Sequence, residues 1–202
     1  MGQATRGAQQ TPIVVIEQGR PVLRVGGVIQ SIGIDDSYEA DIWDAMLPHQ
    51  RPRNALVLGL GGGTIATLLT RRFGPLPITG VERDPAVVWL ARREFDLDAL
   101  SHLQIVVDDA FDFVRHCRET YDTICVDLYT AGKMAHGVLG RRFLQDVARL
   151  LTPEGEATIN LWRSPYVEDQ LRRIGREMLV RDVAEVDENL IVRCGRGGHA
   201  RP

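Results

Sequence analysis

The chain has 202 residues, 44% of them hydrophobic and 25% charged, with a formal net charge of −3. A chain of this length buries roughly 70% of its unfolded surface in one core without staples, and its balance lacks the basic excess that a phosphate backbone demands. No apolar run reaches the ~18 residues of a membrane span, residues 1–10 contain no apolar signal core, and the odd set Cys117, Cys125 and Cys194 forms no Cys-x-x-Cys, so a reducing, cytoplasmic setting is expected, with neither nucleic acid nor membrane as partner.

Residues 1–11 are polar and Gly/Gln-rich and read as a disordered N-terminus, with residues 196–202 as a flexible tail. Residues 12–50 form a first unit. Ile13–Ile16, Pro21–Arg24 and Val28–Ile32 are short β-branched runs separated by Gln18-Gly19-Arg20 and Gly26-Gly27, which predicts a small β-meander. Asp36 or Ser37 can cap a lead-in helix to about Leu47, with Tyr38, Ile42, Trp43 and Met46 at helical spacing.

From Asn54 the pattern changes to strand–helix–strand, so residues 51–195 read as the main domain. The expected strands are Ala55–Leu58, Ile78–Glu82, Leu103–Val107, Thr123–Val126, Ala157–Leu161, Asp182–Val186 and Leu190–Cys194. Helices are expected at Thr64–Phe73, Pro85–Phe95, Ala110–His116, Gly140–Leu151 and Val167–Met178, the second capped by Asp84 with Pro85 at its first position. Thr152-Pro153-Glu154-Gly155 has turn chemistry. Strands that are unbroken apolar runs are covered on both faces, which predicts an α/β, doubly wound, mostly parallel sheet with the small N-terminal β-meander attached.

Ligands of such sheets bind beyond the carboxyl ends of the strands, near the point where strand order reverses. There the sequence puts the glycine run Gly59-Leu60-Gly61-Gly62-Gly63, then Glu82, Asp109 and Asp127 on three further strands. Each has a plain structural alternative: close helix–strand packing for the glycines, a helix cap for each acid. The dinucleotide fingerprint fails at its last glycine, where Thr64 stands. A carboxylate accepts both hydroxyls of a ribose, and an acid beside adenine accepts from its exocyclic amine. Three acids therefore suit a nucleoside with a positive sulfonium tail better than a pyrophosphate. The five histidines show no metal-ligand spacing, and no metal is expected.

The stretch from about Gln30 to Trp162 resembles the spermidine synthase-like branch of the class I S-adenosylmethionine-dependent transferases. The matching pieces are Gly27-Val28-Ile29-Gln30, Asp35-Asp36-Ser37-Tyr38, Leu56–Gly63, Gly80-Val81-Glu82-Arg83-Asp84-Pro85, Val107–Phe111 and Tyr121–Asp127. The resemblance implies a Rossmann-like sheet of class I methyltransferase type and S-adenosylmethionine, or its decarboxylated form, as cofactor. It implies a cofactor site of Gly59, Gly61, Gly62, Gly63, Gln30, Glu82 (at the ribose), Asp109 and Ala110 (at the adenine). It further implies Asp127 beside the reacting centre, Tyr38 lining the acceptor site, and a homodimer. Tyr129 also falls where its hydroxyl would line the acceptor cavity, or else as a loop aromatic packed on the sheet edge.

The departures set the expected chemistry. Aminopropyltransferases carry an aspartate in the glycine loop, where this chain has Gly62, and a second acid three residues after the fourth-strand aspartate, where it has Thr130. Losing two anions weakens the grip on a polyamine. The expected function is thus methyl transfer from S-adenosylmethionine to a small-molecule acceptor of unknown type, with Asp127 orienting the nucleophile. Aminopropyl transfer to a polyamine from the decarboxylated cofactor, and a non-catalytic assembly module built on the β-meander, stay open as alternatives. A dinucleotide oxidoreductase is the most distant reading.

Overall fold

The computed structural model describes residues 11–35, 41–130 and 132–197. Three antiparallel strands come first: β1 (Pro12–Glu17), β2 (Arg20–Val25) and β3 (Val28–Ile32), in sheet order β1-β2-β3. Their turns use left-handed Gln18-Gly19 and Gly26-Gly27, a backbone conformation glycine adopts without steric cost. A short helix, α1 (Ile42–Ala45), leads into the main domain. It is shorter than the sequence predicts because Asp41 caps it, accepting from the Trp43 N–H at 2.9 Å. The alternative caps Asp36 and Ser37, together with Tyr38, lie outside the described residues.

The main domain continues with β4 (Ala55–Leu58), α2 (Thr64–Phe73), β5 (Ile78–Glu82), α3 (Pro85–Glu94), a 3-10 turn at Leu97–Ala99, β6 (Leu103–Val107), α4 (Ala110–His116) and β7 (Tyr121–Val126). A small hairpin, β8 (Tyr129–Thr130) and β9 (Lys133–Met134), precedes α5 (Arg141–Leu150), β10 (Leu151–Trp162), α6 (Val167–Gly175), β11 (Met178–Val186) and β12 (Asn189–Arg196). The seven-stranded sheet has the order β11-β12-β10-β7-β4-β5-β6, and β12 alone runs against the rest. Strand order reverses between β4 and β7, which makes their carboxyl ends the expected place for a ligand.

Both faces of the sheet are covered, as the unbroken apolar strands require. Along β4 the side chains alternate between two cores: Leu56 and Leu58 join the cluster under α4, α5 and α6, while Ala55 and Val57 join the one under α1 and α2. The main corrections to the expected elements lie at the C-terminal end. Thr152–Gly155 does not separate helix from strand but is absorbed into the start of β10, where the pairing with β7 slips between Leu151 and Glu156. Helix α6 stops at Gly175, so β11 begins at Met178, and β12 runs on through Gly195 to Arg196.

Behind this slip lies an acid that is unusually well held. Asp122 accepts from the Arg53 N–H (2.9 Å) and guanidinium (2.8 and 2.9 Å) and from the Thr152 hydroxyl (2.9 Å). The Arg53 guanidinium, first among these partners, holds its carboxyl well below the ordinary value of 3.8. A carboxyl depressed on folding adds stability above its unfolded pKa and loses it as pH falls through the folded one. Asp122→Asn is therefore expected to lower the urea midpoint at neutral pH, and the gap to wild type should begin to narrow as pH falls below the ordinary 3.8 and close only as it passes the much lower folded value. A gap that persists unchanged in acid would show the contact to be steric rather than ionic.

Candidate active site

At the carboxyl ends of β4, β5, β6, β7 and β10 the sheet opens into one cavity of about 930 Å³ of atom-free space, part of it open to solvent. Its wall takes Gly59 and Gly61 from the loop after β4, Glu82 and Arg83 after β5, Asp108, Asp109 and Ala110 after β6, and Asp127 and Tyr129 after β7. Gln30 closes it from β3, Trp43 from α1, and Asn160, Trp162 and Asn189 from the ends of β10 and β12. Of the charged residues on this wall, among the described residues, four are acids, Glu82, Asp108, Asp109 and Asp127, and Arg83 alone is basic.

Glu82 is built into the glycine turn. Its Oε2 accepts the Gly61 N–H at 3.1 Å and its Oε1 the Asp84 N–H at 3.0 Å. Burial pushes its carboxyl above the ordinary value of 4.5, and the backbone donors oppose that shift. With the Arg83 N–H as a third backbone donor, three donors share the carboxylate's roughly four lone-pair sites, which leaves some acceptor capacity toward the cavity. Gly59 sits at φ +87°, and a Cβ there would come within 2.2 Å of the Asp127 carbonyl oxygen, so the turn passes β7 with no room for a side chain.

Asp109 fills both roles open to it. Its Oδ1 caps α4 through the Phe111 N–H at 2.8 Å, and the residue also faces the cavity. Ala110 follows at the first helical position, where the N–H has no acceptor within the helix.

Asp127 is half-buried, and among the described residues no cation faces it. Its Oδ2 accepts the indole N–H of Trp43 at 3.0 Å, and its Oδ1 accepts from Asn160 Nδ2 at 2.9 Å. Burial raises its carboxyl above the ordinary 3.8, the two donors lower it again, and Asp41 adds a repulsive charge. Tyr129 borders it, with its hydroxyl donating to the Asn160 carbonyl at 3.3 Å and its phenol pushed up by burial.

Two glycines assigned to the cofactor by sequence lie off the cavity wall. The Gly62 N–H is taken by Ser31 Oγ at 2.7 Å, and a Cβ at this position would meet Ser31 Cβ at 2.8 Å and Phe95 Cε1 at 3.0 Å. Gly63 caps α2 in the left-handed conformation with Leu97 packed over it. Gly62 packs under β3 and Gly63 against Leu97, and neither lines the cavity. Gly59, Gly61, Gln30, Glu82, Asp109, Ala110, Asp127 and Tyr129 are all brought together. Trp43, Asn160 and Asn189 were missed by the sequence reading. The available signal was a polar Asn160 inside an apolar buried strand, which needs a partner wherever it is buried.

Residues 36–173 match the spermine/spermidine synthase domain. The chain belongs to that family. The chain is 29% identical over 119 residues to the eEF1A lysine and N-terminal methyltransferase homolog of Drosophila melanogaster, covering 54% of this chain and 18% of that protein. It is 27% identical over 173 residues to the polyamine aminopropyltransferase of Thermoplasma volcanium, covering 80% and 62%. The chain thus spans less than two thirds of the length of these curated relatives. Among solved structures, human methyltransferase-like protein 13 in complex with SAH superposes with a TM-score of 0.65 at 25% identity, over 75% of each chain. A probable spermidine synthase from Corynebacterium glutamicum shares the fold with a TM-score of 0.76 at 18% identity, over 98% of this chain and 81% of that one. This member of the spermine/spermidine synthase domain family has, among the described residues, no helix long and apolar enough to cross a membrane and no group of three His, Cys, Asp or Glu able to hold a metal ion.

Proposed function

We propose that this protein is an S-adenosylmethionine-dependent methyltransferase of spermidine synthase-like fold. The observation that carries the reading is the convergence of Glu82, Asp109 and Asp127 with the Gly59–Gly61 turn on one cavity wall where, among the described residues, acids outnumber bases four to one. That donor set fits an adenosyl sulfonium: free acceptor capacity on Glu82 for ribose hydroxyls, Asp109 with the Ala110 N–H for the adenine edge, and an excess of negative charge for the cationic tail. Gln30 would close the same pocket from β3.

When bound, the cofactor supplies a methyl carbon activated on a positively charged sulfur. The chain's own contribution is alignment and exclusion of water, which lowers the barrier by fixing the approach of the nucleophile. Asp127, half-buried and with lone pairs left over from Trp43 and Asn160, would accept a hydrogen bond from the acceptor and so orient it. Tyr129 would shape the acceptor end; Tyr38, the other tyrosine that the sequence offers for it, lies outside the described residues.

Methyl transfer is preferred over aminopropyl transfer from the decarboxylated cofactor because of Gly62. An acid at this position would need the space that Ser31 and Phe95 fill, and the N–H beneath is already committed. The decisive measurement is calorimetric titration with the two thioether products. S-adenosylhomocysteine is expected to bind at least about tenfold more tightly than methylthioadenosine, the worth of one charge-assisted contact to the amino-acid tail. The reverse order would assign aminopropyl transfer to a polyamine, and no binding of either would leave a non-catalytic assembly module. A small-molecule acceptor, a cytoplasmic setting, no nucleic-acid partner, and pairing of two copies through the open edges of the β1–β3 sheet complete the proposal.

A further inference from the structure

The polar contacts of Asp127 do not end at its first partners but continue sideways through three strands. Asn189 Nδ2 donates to Asn160 Oδ1 at 2.8 Å, and Asn160 Nδ2 donates to Asp127 Oδ1 at 2.9 Å. On the other side Trp43 Nε1 donates to Asp127 Oδ2 at 3.0 Å. Asn160 and Asn189 are both buried, so water does not compete freely for their amides.

A side-chain amide has a donor end and an acceptor end, and a half-turn about its last bond exchanges them. With Asn189 donating to its oxygen, Asn160 must turn its nitrogen toward Asp127. The reversed amide would set oxygen against the carboxylate and nitrogen against nitrogen. We infer that Asn189 is a positioning residue: it fixes the polarity of the Asn160 amide and, through it, holds Asp127 in its charged, accepting form. The consequence for chemistry rests on the proposed function, in which Asp127 faces the acceptor. The relay itself does not.

Among the described residues the titratable groups around Asp127 are Asp41 ahead of α1, Tyr129 just beyond β7 and Cys125 two residues back along β7, while β10 and β12 face it with amides. No cation among the described residues contributes to keeping it charged, which leaves that task to the two N–H donors. Asn189→Asp inverts the relay. An acid at this position only accepts, so the Asn160 amide turns its nitrogen to it and its oxygen to Asp127, a contact favourable only when Asp127 carries a proton.

The indole N–H of Trp43 reports the charge on Asp127 directly. Its resonance in a ¹⁵N-edited spectrum, assigned with Trp43→Phe, is followed against pH in the full chain. Asn189→Asp is expected to raise the titration midpoint by about one pH unit or more, a tenfold change in the acid equilibrium. The added charge contributes part of that rise by itself, so the same substitution is made in an Asn160→Ala background. The relay requires a markedly smaller rise there; equal rises in the two backgrounds, or none in either, overturn it. Should Asn189→Asp fail to fold, as judged by the Trp89 and Trp162 indole resonances, the neutral Asn189→Leu replaces it. It should raise the midpoint by a smaller step, one that disappears in the Asn160→Ala background, and an unmoved midpoint with Asn160 present overturns the inference. A wild-type chain that binds no S-adenosylhomocysteine would sink the proposed function while leaving this titration to decide the relay.

Discussion

Replacing Glu82 with alanine should weaken S-adenosylhomocysteine binding by about 10- to 150-fold, the roughly 1.5–3 kcal/mol of hydrogen bonds to a charged acceptor. Two losses combine in that figure. The ribose loses its acceptor, and the Gly61 and Asp84 N–H groups lose the carboxylate that fixes the turn. Glu82→Gln separates them, because its single carbonyl keeps one backbone contact while the charge disappears. An intermediate affinity is expected. The wild-type affinity should also fall as the solution is acidified through a midpoint above 4.5, the ordinary glutamate value, since burial raises this carboxyl and its protonated form cannot accept from two hydroxyls at once. Glu82→Gln should lack that fall. The same raised pKa acts on stability with the opposite sign to Asp122: the unfolded chain gives up its proton first, so Glu82 costs stability as pH rises through this window. Calorimetry on the three proteins at a series of pH values from 4.5, the ordinary glutamate value, upward checks all of this. An unchanged dissociation constant in Glu82→Ala would remove the residue from the cofactor site.

The legible parts of this molecule are those governed by local rules. β4, α2, β5, β6 and α4 have the boundaries that apolar runs, Pro85 and the acids after the strands imply, because a buried parallel strand and a capped helix each announce themselves within ten residues. The cluster of strand-end acids follows from topology alone. What the sequence concealed depends on contacts between distant segments. Gly62 and Gly63 stand in the same run as Gly61, yet they serve the meander and Leu97, and only the path of β3 over the loop decides which glycines face outward. Trp43 reads as an apolar residue at helical spacing until its indole meets Asp127, 84 positions away. Asn189 carries no local sign of its role, because its partner Asn160 belongs to a different strand.

The larger expected loss of stability comes from Arg193, on β12. Its guanidinium is buried against Glu156 at 2.7 Å and donates to the Ala45 and Leu47 carbonyls at 3.0 and 3.2 Å. Together with the Thr158 hydroxyl on the Met46 carbonyl at 2.8 Å, it fastens the segment after α1 to the underside of the sheet. Arg193→Ala should cost about 3–5 kcal/mol, because removing one partner strands a half-buried Glu156 and two carbonyls without donors. Arg193→Lys should recover only part of this, since a single ammonium cannot reproduce a fork that reaches a carboxylate and two backbone oxygens. Pairing Arg193→Met with Glu156→Leu should be less costly than Arg193→Met alone, because no unpaired charge then remains. Urea unfolding of the four variants gives the order directly, and a loss below about 1 kcal/mol for Arg193→Ala, the range of an exposed pair, would show the clamp to be slack. The clamp also reaches the site. Trp43 lies two residues before Ala45 and donates to Asp127, so a loosened segment should shift the Trp43 indole resonance at temperatures where the Arg193→Ala chain is still folded. Stability and the charge state of the candidate catalytic acid would thereby depend on the same few contacts beneath α1.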